Sequence, residues 1–196
     1  MLNSFHCLRG RELVGSDWKL LRDKPSPWTI DGDQLVLKGS EFKNDLVSKD
    51  TFENFVLEFE FALTPGANSG IKYLIQDTYG NIGLEYQIVD DSCHLDALAS
   101  SKRQTAALYD LFAPGPKLLL QSWKFNHGKI VFQDGFGEHW LNGDKVLEYD
   151  LNSMEFETTK SQSKFKTFPW FGTFRTGKIL IQDHGDPLIF RHLEIR

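Results

Sequence analysis

Three groups of polar residues in this 196-residue sequence have types and spacings that could support chemistry. In the first group, Glu85 and Gln87 lie two positions apart, so both side chains would project from the same face of a strand. Asp90 and Asp91 follow directly. Such a row could hydrogen-bond the hydroxyl groups of a sugar and offer a carboxylate for proton transfer. A solvated sheet face has the same spacing, and for the pair alone it is the more common explanation.

The second group surrounds an Asn-Gly pair. His139 and Leu141 would share one face of a strand, while Trp140 and Asn142 would share the other. Its histidine and amide are candidate functional groups. The structural alternative packs His139 and Trp140 in the core and leaves Asn142 to serve the turn, because Asn-Gly pairs are common in hairpins.

The third group stands at the end of another predicted strand. Gln182, Asp183 and His184 precede Gly185, and the segment 190–192 with Arg191 follows. A strand that ends in Asp and His beside a glycine offers a base, an acid or two ligands for a divalent metal ion. No tight ligand spacing such as H-E-x-x-H is present, so a metal cofactor is a hypothesis and not an expectation. The structural alternative is a polar strand end capped by its own hydrogen bonds.

A sheet must position these groups, and the alternation of apolar and polar residues predicts one. The run Phe55–Leu63 places apolar side chains on one face, and Glu58 and Glu60 on the other. Roughly ten short strands separated by turn signals indicate an all-β sandwich and not a parallel α/β fold. Only residues 151–164 lack alternation, which favours a short helix or an irregular crossover there. The other predicted strands are 34–38, 70–75, 84–89, 106–111, 130–133, 139–141, 145–149, 179–182 and 188–195.

Length and composition exclude several classes of protein. A chain of 22.5 kDa suits one domain spanning residues 1–196, which can bury a core without disulfides or metal. The net charge of −5 argues against a nucleic-acid partner. No apolar run approaches the roughly 18–20 residues of a membrane span. Residues 1–6 contain no signal-peptide core, so localisation stays open, and Cys7 and Cys93 form no disulfide or metal framework.

Several motifs in a fixed order carry a more specific indication. Together they resemble the 3-keto-disaccharide hydrolase domain family over about residues 17–196. This resemblance implies a concanavalin A-like jelly roll, that is, a sandwich of two antiparallel sheets whose concave face binds a carbohydrate. It also implies a periplasmic or secreted bacterial protein. The motifs are NSGI at 68–71, LEYQIVD at 84–90, ALY at 107–109, HWLNG at 139–143, SKF at 163–165, IQDHG at 181–185 and FRHLEI at 190–195.

The resemblance implies an enzyme that acts on glycosides oxidised at C3. The ketone acidifies the proton at C2, so a general base can remove it, the enolate can expel the substituent at C1, and water can add to the unsaturated sugar. Glu85 and His184 are expected to be base and acid, in either order, with His139 and Asp183 in reserve. Lys72, Arg191 or a metal ion would stabilise the enolate. Hydrogen bonds to the sugar are expected from Gln87, Asp90, Tyr109, Asn142 and Gln182.

Two other functions remain open at this point. A two-carboxylate glycosidase could pair Glu85 with Asp90, Asp91 or Asp183, with the carboxyl groups about 5–5.5 Å apart for retention or about 6.5–9.5 Å apart for inversion. A binding module would hold a sugar by aromatic stacking and hydrogen bonds without chemistry. We favour an enzyme because histidine and carboxylate side chains recur in the three groups. The sugar and the oligomeric state stay open.

Overall fold

The computed structural model describes residues 10–39, 41–121 and 123–196. Cys7 and the N-terminal residues considered for a signal peptide lie outside the described residues. Two helices are present in the described part of the chain, α1 (Leu95–Ala99) and α2 (Met154–Gln162), and neither is long and apolar enough to cross a membrane. Single 3₁₀ turns occur at Gly15–Asp17, Asp77–Tyr79, Ser101–Arg103 and Lys164–Thr167.

Most of the regular structure is β-strand. In chain order the strands are β1 (Arg11–Glu12), β2 (Trp18–Leu20), β3 (Trp28–Asp31), β4 (Gln34–Leu37), β5 (Leu46–Ser48), β6 (Phe52–Glu53), β7 (Phe55–Leu63), β8 (Asn68–Ile75), β9 (Leu84–Val89), β10 (Asn126–Gln133), β11 (Phe136–Leu141), β12 (Asp144–Asp150), β13 (Thr176–Ile181) and β14 (Leu188–Ile195).

The strands form two antiparallel sheets. The back sheet has the order β12-β11-β10-β7-β14-β4-β3, with β1 beside β14. The cleft sheet has the order β2-β5-β13-β8-β9, with β6 beside β13. The predicted all-β sandwich of two antiparallel sheets is therefore confirmed.

The alternating strands form because one face of each is apolar. On β7, Phe59 and Phe61 are fully buried between the sheets, and each such ring contributes about 1.5–3 kcal/mol through burial. Glu60 projects from the opposite face of β7, where its Oε2 accepts a hydrogen bond from Arg191 Nε at 2.6 Å. The back sheet thus has one dry face and one charged, solvated face.

Two local predictions are confirmed and one is wrong. Asn142 and Gly143 have φ angles of 51° and 94°, as a type I′ hairpin between β11 and β12 requires. Helix α2 lies within the segment that lacks alternation. The strand predicted at 106–111 does not form, because Ala106 and Asp110 adopt left-handed φ angles of 68° and 62° that interrupt extended structure.

A crossover segment, residues 151–175, connects the back sheet to the cleft sheet between β12 and β13. Ser153 begins α2 by accepting a hydrogen bond from the Phe156 N–H at 3.1 Å. Phe165 stacks on Phe171 with ring centroids 4.0 Å apart, and both rings are buried. These contacts attach the crossover segment to the core and fix the turn that begins at Lys164.

A hydrogen-bonded network lies inside the core between the sheets. His139 of β11 is fully buried, with Nε2 2.9 Å from the Tyr73 hydroxyl, which lies 2.5 Å from the Tyr149 hydroxyl. Its Nδ1 is 3.0 Å from the Ala106 carbonyl oxygen, so Nδ1 carries the proton and Nε2 accepts from Tyr73. His139 therefore belongs to the core and does not reach the cleft, and its reserve catalytic assignment is not carried forward.

The buried histidine makes the stability of the fold depend on pH. Burial lowers the pKa of His139 to about 4, whereas the unfolded chain titrates near 6.5. The stabilisation is thus complete above about pH 6.5 and is lost as the pH falls through about 4, because the unfolded state binds the proton first. We expect His139→Gln to lower the free energy of unfolding by about 1–3 kcal/mol at pH 7 and to flatten its fall between pH 6.5 and 4. Urea unfolding followed by tryptophan fluorescence measures both effects.

The exposed His127 provides the matched control. His127→Gln should retain the pH slope of the natural protein. If the free energy of unfolding of His139→Gln falls between pH 6.5 and 4 as steeply as that of the natural protein, other groups cause the loss of stability in acid.

Candidate functional site

The register of three neighbouring strands brings polar side chains together on the outer face of the cleft sheet. Lys72 of β8 lies opposite Glu85 of β9, and Gly70 lies opposite Gln87. The Gln182 N–H, directly after β13, donates to the Gly70 carbonyl oxygen at 2.9 Å. Four polar side chains therefore surround Gly70.

Glu85 is the centre of this group. Its side chain is 6% exposed, although it lies on the outer face of a sheet. With the amides oriented so that donors face acceptors, Gln87 and Gln182 donate to Glu85 Oε1 at 2.9 and 2.8 Å. The Lys72 ammonium lies 3.8 Å from Oε2. Burial raises the pKa of the Glu85 carboxyl, and the Lys72 and Lys164 ammonium groups oppose that rise.

Lys72 already has several partners in the protein. Its Nζ donates to the Asn81 carbonyl oxygen at 2.9 Å and lies 3.0 Å from the side-chain oxygen of Gln182. With Glu85 nearby, these groups satisfy the ammonium. Lys72 and Gln182 thus hold the Glu85 carboxylate in place.

Gly70 makes this close arrangement sterically possible. A Cβ atom at position 70 would lie 2.4 Å from the side-chain amide of Gln182 and 2.9 Å from Glu85 Oε1, both shorter than a normal contact. The missing side chain lets the amide and the carboxylate meet over the sheet. The NSGI motif therefore has a physical reason for its glycine.

A cavity of about 280 Å³ opens above the carboxylate. Its lining combines charged and apolar side chains. It is lined by Lys72, Ile82, Gly83, Glu85, Lys164, Phe165 and Phe168.

Tyr109 is held beside β9 by backbone and side-chain bonds. Its N–H donates to the Glu85 carbonyl oxygen at 3.0 Å, and its hydroxyl donates to Asp96 Oδ2 at 2.6 Å. Burial would raise the pKa of Asp96, but the hydrogen bonds from Tyr109 and Arg103 hold it below its ordinary value. Burial raises the pKa of the Tyr109 hydroxyl itself, and its hydrogen bond to Asp96 raises that pKa further. Tyr109 is thus fixed as a neutral ring beside the cleft.

The strand end that follows β13 contributes a histidine. Burial lowers the pKa of His184, and the Lys72 ammonium lowers it further. In the described part of the chain, no hydrogen bond joins the His184 imidazole to another protein group. Asp183 differs, because its carboxylate oxygens accept the N–H groups of Asn44 and Gly185, each at 2.8 Å. Asp183 therefore shapes the loop that carries His184.

Three other predicted residues lie elsewhere. Asp90 accepts hydrogen bonds from Gly66, Ser92 and Cys93 in the turns at the end of the sheet, and these bonds hold its pKa low against the effect of burial. Asn142 donates to the Leu118 carbonyl oxygen in the β11–β12 hairpin. Arg191 lies on the back sheet. These three side chains are used by turns and by an ion pair, so the structure does not bring them to the cleft.

Two charged residues near the cleft were not selected from the sequence. Lys164 lines the cavity, and the SKF motif at 163–165 alone does not indicate a function for it. Asp45 accepts a hydrogen bond from the Asp183 N–H at 2.9 Å, and its charge acts on Glu85 and His184. An Asn-Asp pair directly before the short strand β5 was the available signal for Asp45.

The described residues with metal-ligand geometry lie away from the cleft. Glu12, Asp33 and His192 place one ligand atom each within 4.8 Å of one another, and all three are exposed. Asp183 and His184 are not part of such a group in the described chain. A metal cofactor at the third polar group stays a hypothesis.

Comparison with known proteins assigns this arrangement to a family. A family model described as the 3-keto-alpha-glucoside-1,2-lyase-like domain matches residues 8–196. The chain belongs to this family. A 3-keto-disaccharide hydrolase of Bacteroides thetaiotaomicron is 33% identical over 204 residues, covering 88% of this chain and 70% of that protein. The resemblance inferred from the motifs is confirmed, and the protein is an enzyme of the hydrolase class.

Solved structures agree on the fold. One from Parabacteroides distasonis, titled "putative glycosyl hydrolase", has a TM-score of 0.83 at 26% identity and covers 93% of this chain, which covers 89% of that chain. A second from the same organism, with the same title, has a TM-score of 0.71 at 27% identity and coverages of 91% and 98%. A carbohydrate binding module from Bacillus subtilis has a TM-score of 0.51 at 11% identity, with coverages of 90% and 93%, and shares the fold alone.

The contact between Gly70 and the carboxylate can be tested directly. In Gly70→Ala the new methyl group should displace the flexible end of Gln182 and remove one donor from Glu85. Losing a hydrogen bond to the charged form should raise the Glu85 pKa further, while the midpoint of thermal unfolding changes by only a few degrees. Carbon-detected NMR titration of glutamate-labelled protein measures the pKa.

Gly115→Ala is the control, since its Cβ would meet the Val146 carbonyl oxygen at an ordinary 3.4 Å. An unshifted Glu85 titration in Gly70→Ala would show that the amide contact has little influence on the carboxylate.

Proposed function

We propose that this protein cleaves 3-keto-glycosides by removing the proton at C2 and eliminating the substituent at C1. The observation that carries the proposal is the buried carboxylate of Glu85, which has a raised pKa and faces a cavity with two ammonium groups. A carboxylate with this environment is a stronger base than an ordinary glutamate. The name of the 33% identical relative points to the same class of substrate.

Glu85 takes the C2 proton in this proposal. The C–H electrons then form the C2–C3 double bond, and the former ketone oxygen becomes an enolate oxygen. As the enolate collapses, the bond from C1 to the leaving oxygen breaks. Water then adds at C1 of the unsaturated sugar, which completes hydrolysis.

His184 donates a proton to the leaving oxygen. It lies near Lys72, as the effect of that ammonium on its pKa indicates, and it is less buried than Glu85. A partly exposed imidazole can recover its proton from solvent after each turnover. Its lowered pKa makes the imidazolium form a stronger acid.

The sugar ring is held by the residues around the base. Gln87 and Gln182 fix the carboxylate and have remaining acceptor and donor capacity toward hydroxyl groups. Tyr109 stands beside them as a fixed ring. Lys72 maintains the charged form of Glu85 before reaction. A pure binding module would not need the buried carboxylate with a raised pKa, and for that reason we favour catalysis.

The division of roles predicts different defects in two variants. Glu85→Gln should lower kcat by about 10²–10⁴-fold on every 3-keto-glucoside and stop exchange of the C2 proton in D₂O. His184→Ala should show a similar loss on a 3-keto-disaccharide and near-normal turnover of 4-nitrophenyl 3-keto-glucoside, because nitrophenolate leaves without protonation. NMR follows the exchange, and absorbance follows nitrophenolate release.

Glu155→Gln and His192→Ala, two exposed positions, are the controls and should behave as the natural protein. Retained C2 exchange in Glu85→Gln, or cleavage of unoxidised glucosides by the natural protein, would contradict the elimination route.

The pH profile follows from the same carboxylate. Because Glu85 must be ionised to act, kcat/KM should rise with pH through a limb above the ordinary glutamate value of about 4.3. Lys72→Met removes a charge that favours the ionised form, so this limb should move to higher pH. Initial rates on 4-nitrophenyl 3-keto-glucoside between pH 4 and 9 measure the limb.

Lys145→Met on the back sheet is the control and should leave the limb in place. If Lys72→Met also leaves it in place, the limb does not belong to Glu85.

A further inference from the structure

Two lysines line the cavity, and their surroundings differ. Lys72 is satisfied by Asn81, Gln182 and Glu85. Lys164 has a different environment, because its Nζ lies 4.0 Å from the Tyr109 ring centroid. In the described residues no carboxylate lies within ion-pair distance of the Lys164 ammonium, and no protein acceptor takes a hydrogen bond from it. The N–H groups of this ammonium that do not face an aromatic ring are therefore available to a ligand.

The backbone at Lys164 is fixed although the side chain is available. The Lys164 N–H donates to Asp110 Oδ2 at 3.1 Å. Ser163 is buried, and its hydroxyl accepts from the Phe165 N–H at 3.0 Å, which caps the 3₁₀ turn. The buried Phe165 ring attaches that turn to the core. The Lys164 side chain is thus attached at a fixed point on the cavity wall. A group that positions a reacting atom needs such a fixed attachment.

The charges in the cavity indicate which group of a ligand the Lys164 ammonium would pair with. Glu85 is the carboxylate among the residues that line the cavity, and Lys72 and Lys164 are the cations. When Glu85 accepts a proton it loses its charge, and the same negative charge then appears on the substrate. Lys72 remains beside the neutralised carboxyl group. The second cation is then free to pair with the charge at its new position.

We infer that Lys164 donates a hydrogen bond to the C3 carbonyl oxygen of the substrate and stabilises the enolate oxygen that forms there. This inference rests on the proposed function and adds a catalytic residue to it. Lys164 is an exposed residue, but partial burial of its ammonium lowers its pKa, and the nearby Glu85 carboxylate opposes that shift. A more acidic ammonium is a stronger hydrogen-bond donor to an enolate.

Lys164→Met tests the inference. Removal of one donor to a developing oxyanion should lower kcat by about 10²–10³-fold with a much smaller change in KM, because the bond strengthens in the transition state. The rate of C2 exchange in D₂O should fall by the same factor, since the enolate is the species that loses stabilisation. Lys164→Arg, which keeps the charge, should recover part of both rates. Ethylammonium added to Lys164→Ala should accelerate exchange in proportion to its concentration.

Lys166→Met is the matched control, because Lys166 is exposed like Lys164 and lies on the same 3₁₀ turn but does not line the cavity. It should keep both rates. Equal exchange rates in Lys164→Met and Lys166→Met would overturn the inference. A mass gain on Lys164 after treatment with 3-keto-glucoside and cyanoborohydride would also overturn it, by replacing the hydrogen bond with a covalent iminium.

The outcome for Glu85→Gln separates the two proposals. Exchange that survives in Glu85→Gln would remove the proposed function and this inference together. If C2 exchange stops in Glu85→Gln but keeps the natural rate in Lys164→Met, the proposed function stands and only the role of Lys164 is contradicted. Thermal unfolding of each variant identifies a loss of fold, and in that case the arginine variant and the amine rescue decide the question.

Discussion

A carboxylate can leave water only where other donors replace the hydration that it loses, and the cleft sheet is arranged around that requirement at Glu85. Gln87 and Gln182 supply two donors, and Lys72 supplies a compensating charge. These groups come from three adjacent strands, so the register of β13, β8 and β9 must be correct for any of them to meet. Gly70 contributes by leaving room where the side chains meet.

The core and the cleft depend on each other through the segment beside β9. His139 is inside the sandwich, yet its Nδ1 proton binds the Ala106 carbonyl oxygen. Ala106 and Ala107 in turn exchange backbone hydrogen bonds with Gln87, and Tyr109 bonds to Glu85 in the same way. A buried core histidine therefore helps to hold the segment that lies against β9, the strand that carries Glu85. Its burial also connects acid sensitivity of the fold to the integrity of the cleft.

Local patterns in the sequence predicted much of the fold and part of the site. Strands β7 and β9 form over the predicted ranges, because alternation reports a sheet with one dry face. The same period placed Glu85 and Gln87 on one face. Their burial could not be read from that period, since it results from Tyr109 and from loops that are distant in sequence.

The positions of the predicted residues that lie away from the cleft, and of those that the sequence did not indicate, have physical explanations. Periodicity does not say which of two sheets receives a strand, and Arg191 of β14 joined the back sheet. Asn142 and Asp90 lie in turns, where their side chains form hydrogen bonds with backbone groups. Lys164 was not assigned because its meaning depends on the long crossover from β12 to β13, which only the folded topology reveals.

That crossover divides the cleft into two parts of separate origin. Glu85 and Lys72 lie on strands, whereas Lys164, Phe165 and Phe168 lie on a connection that follows α2. Changes of length or side chain in this connection can reshape the wall without shifting the strand register beneath it. The wall of the cleft can therefore vary through changes in one connection, while the strands that carry Glu85 and Lys72 stay the same.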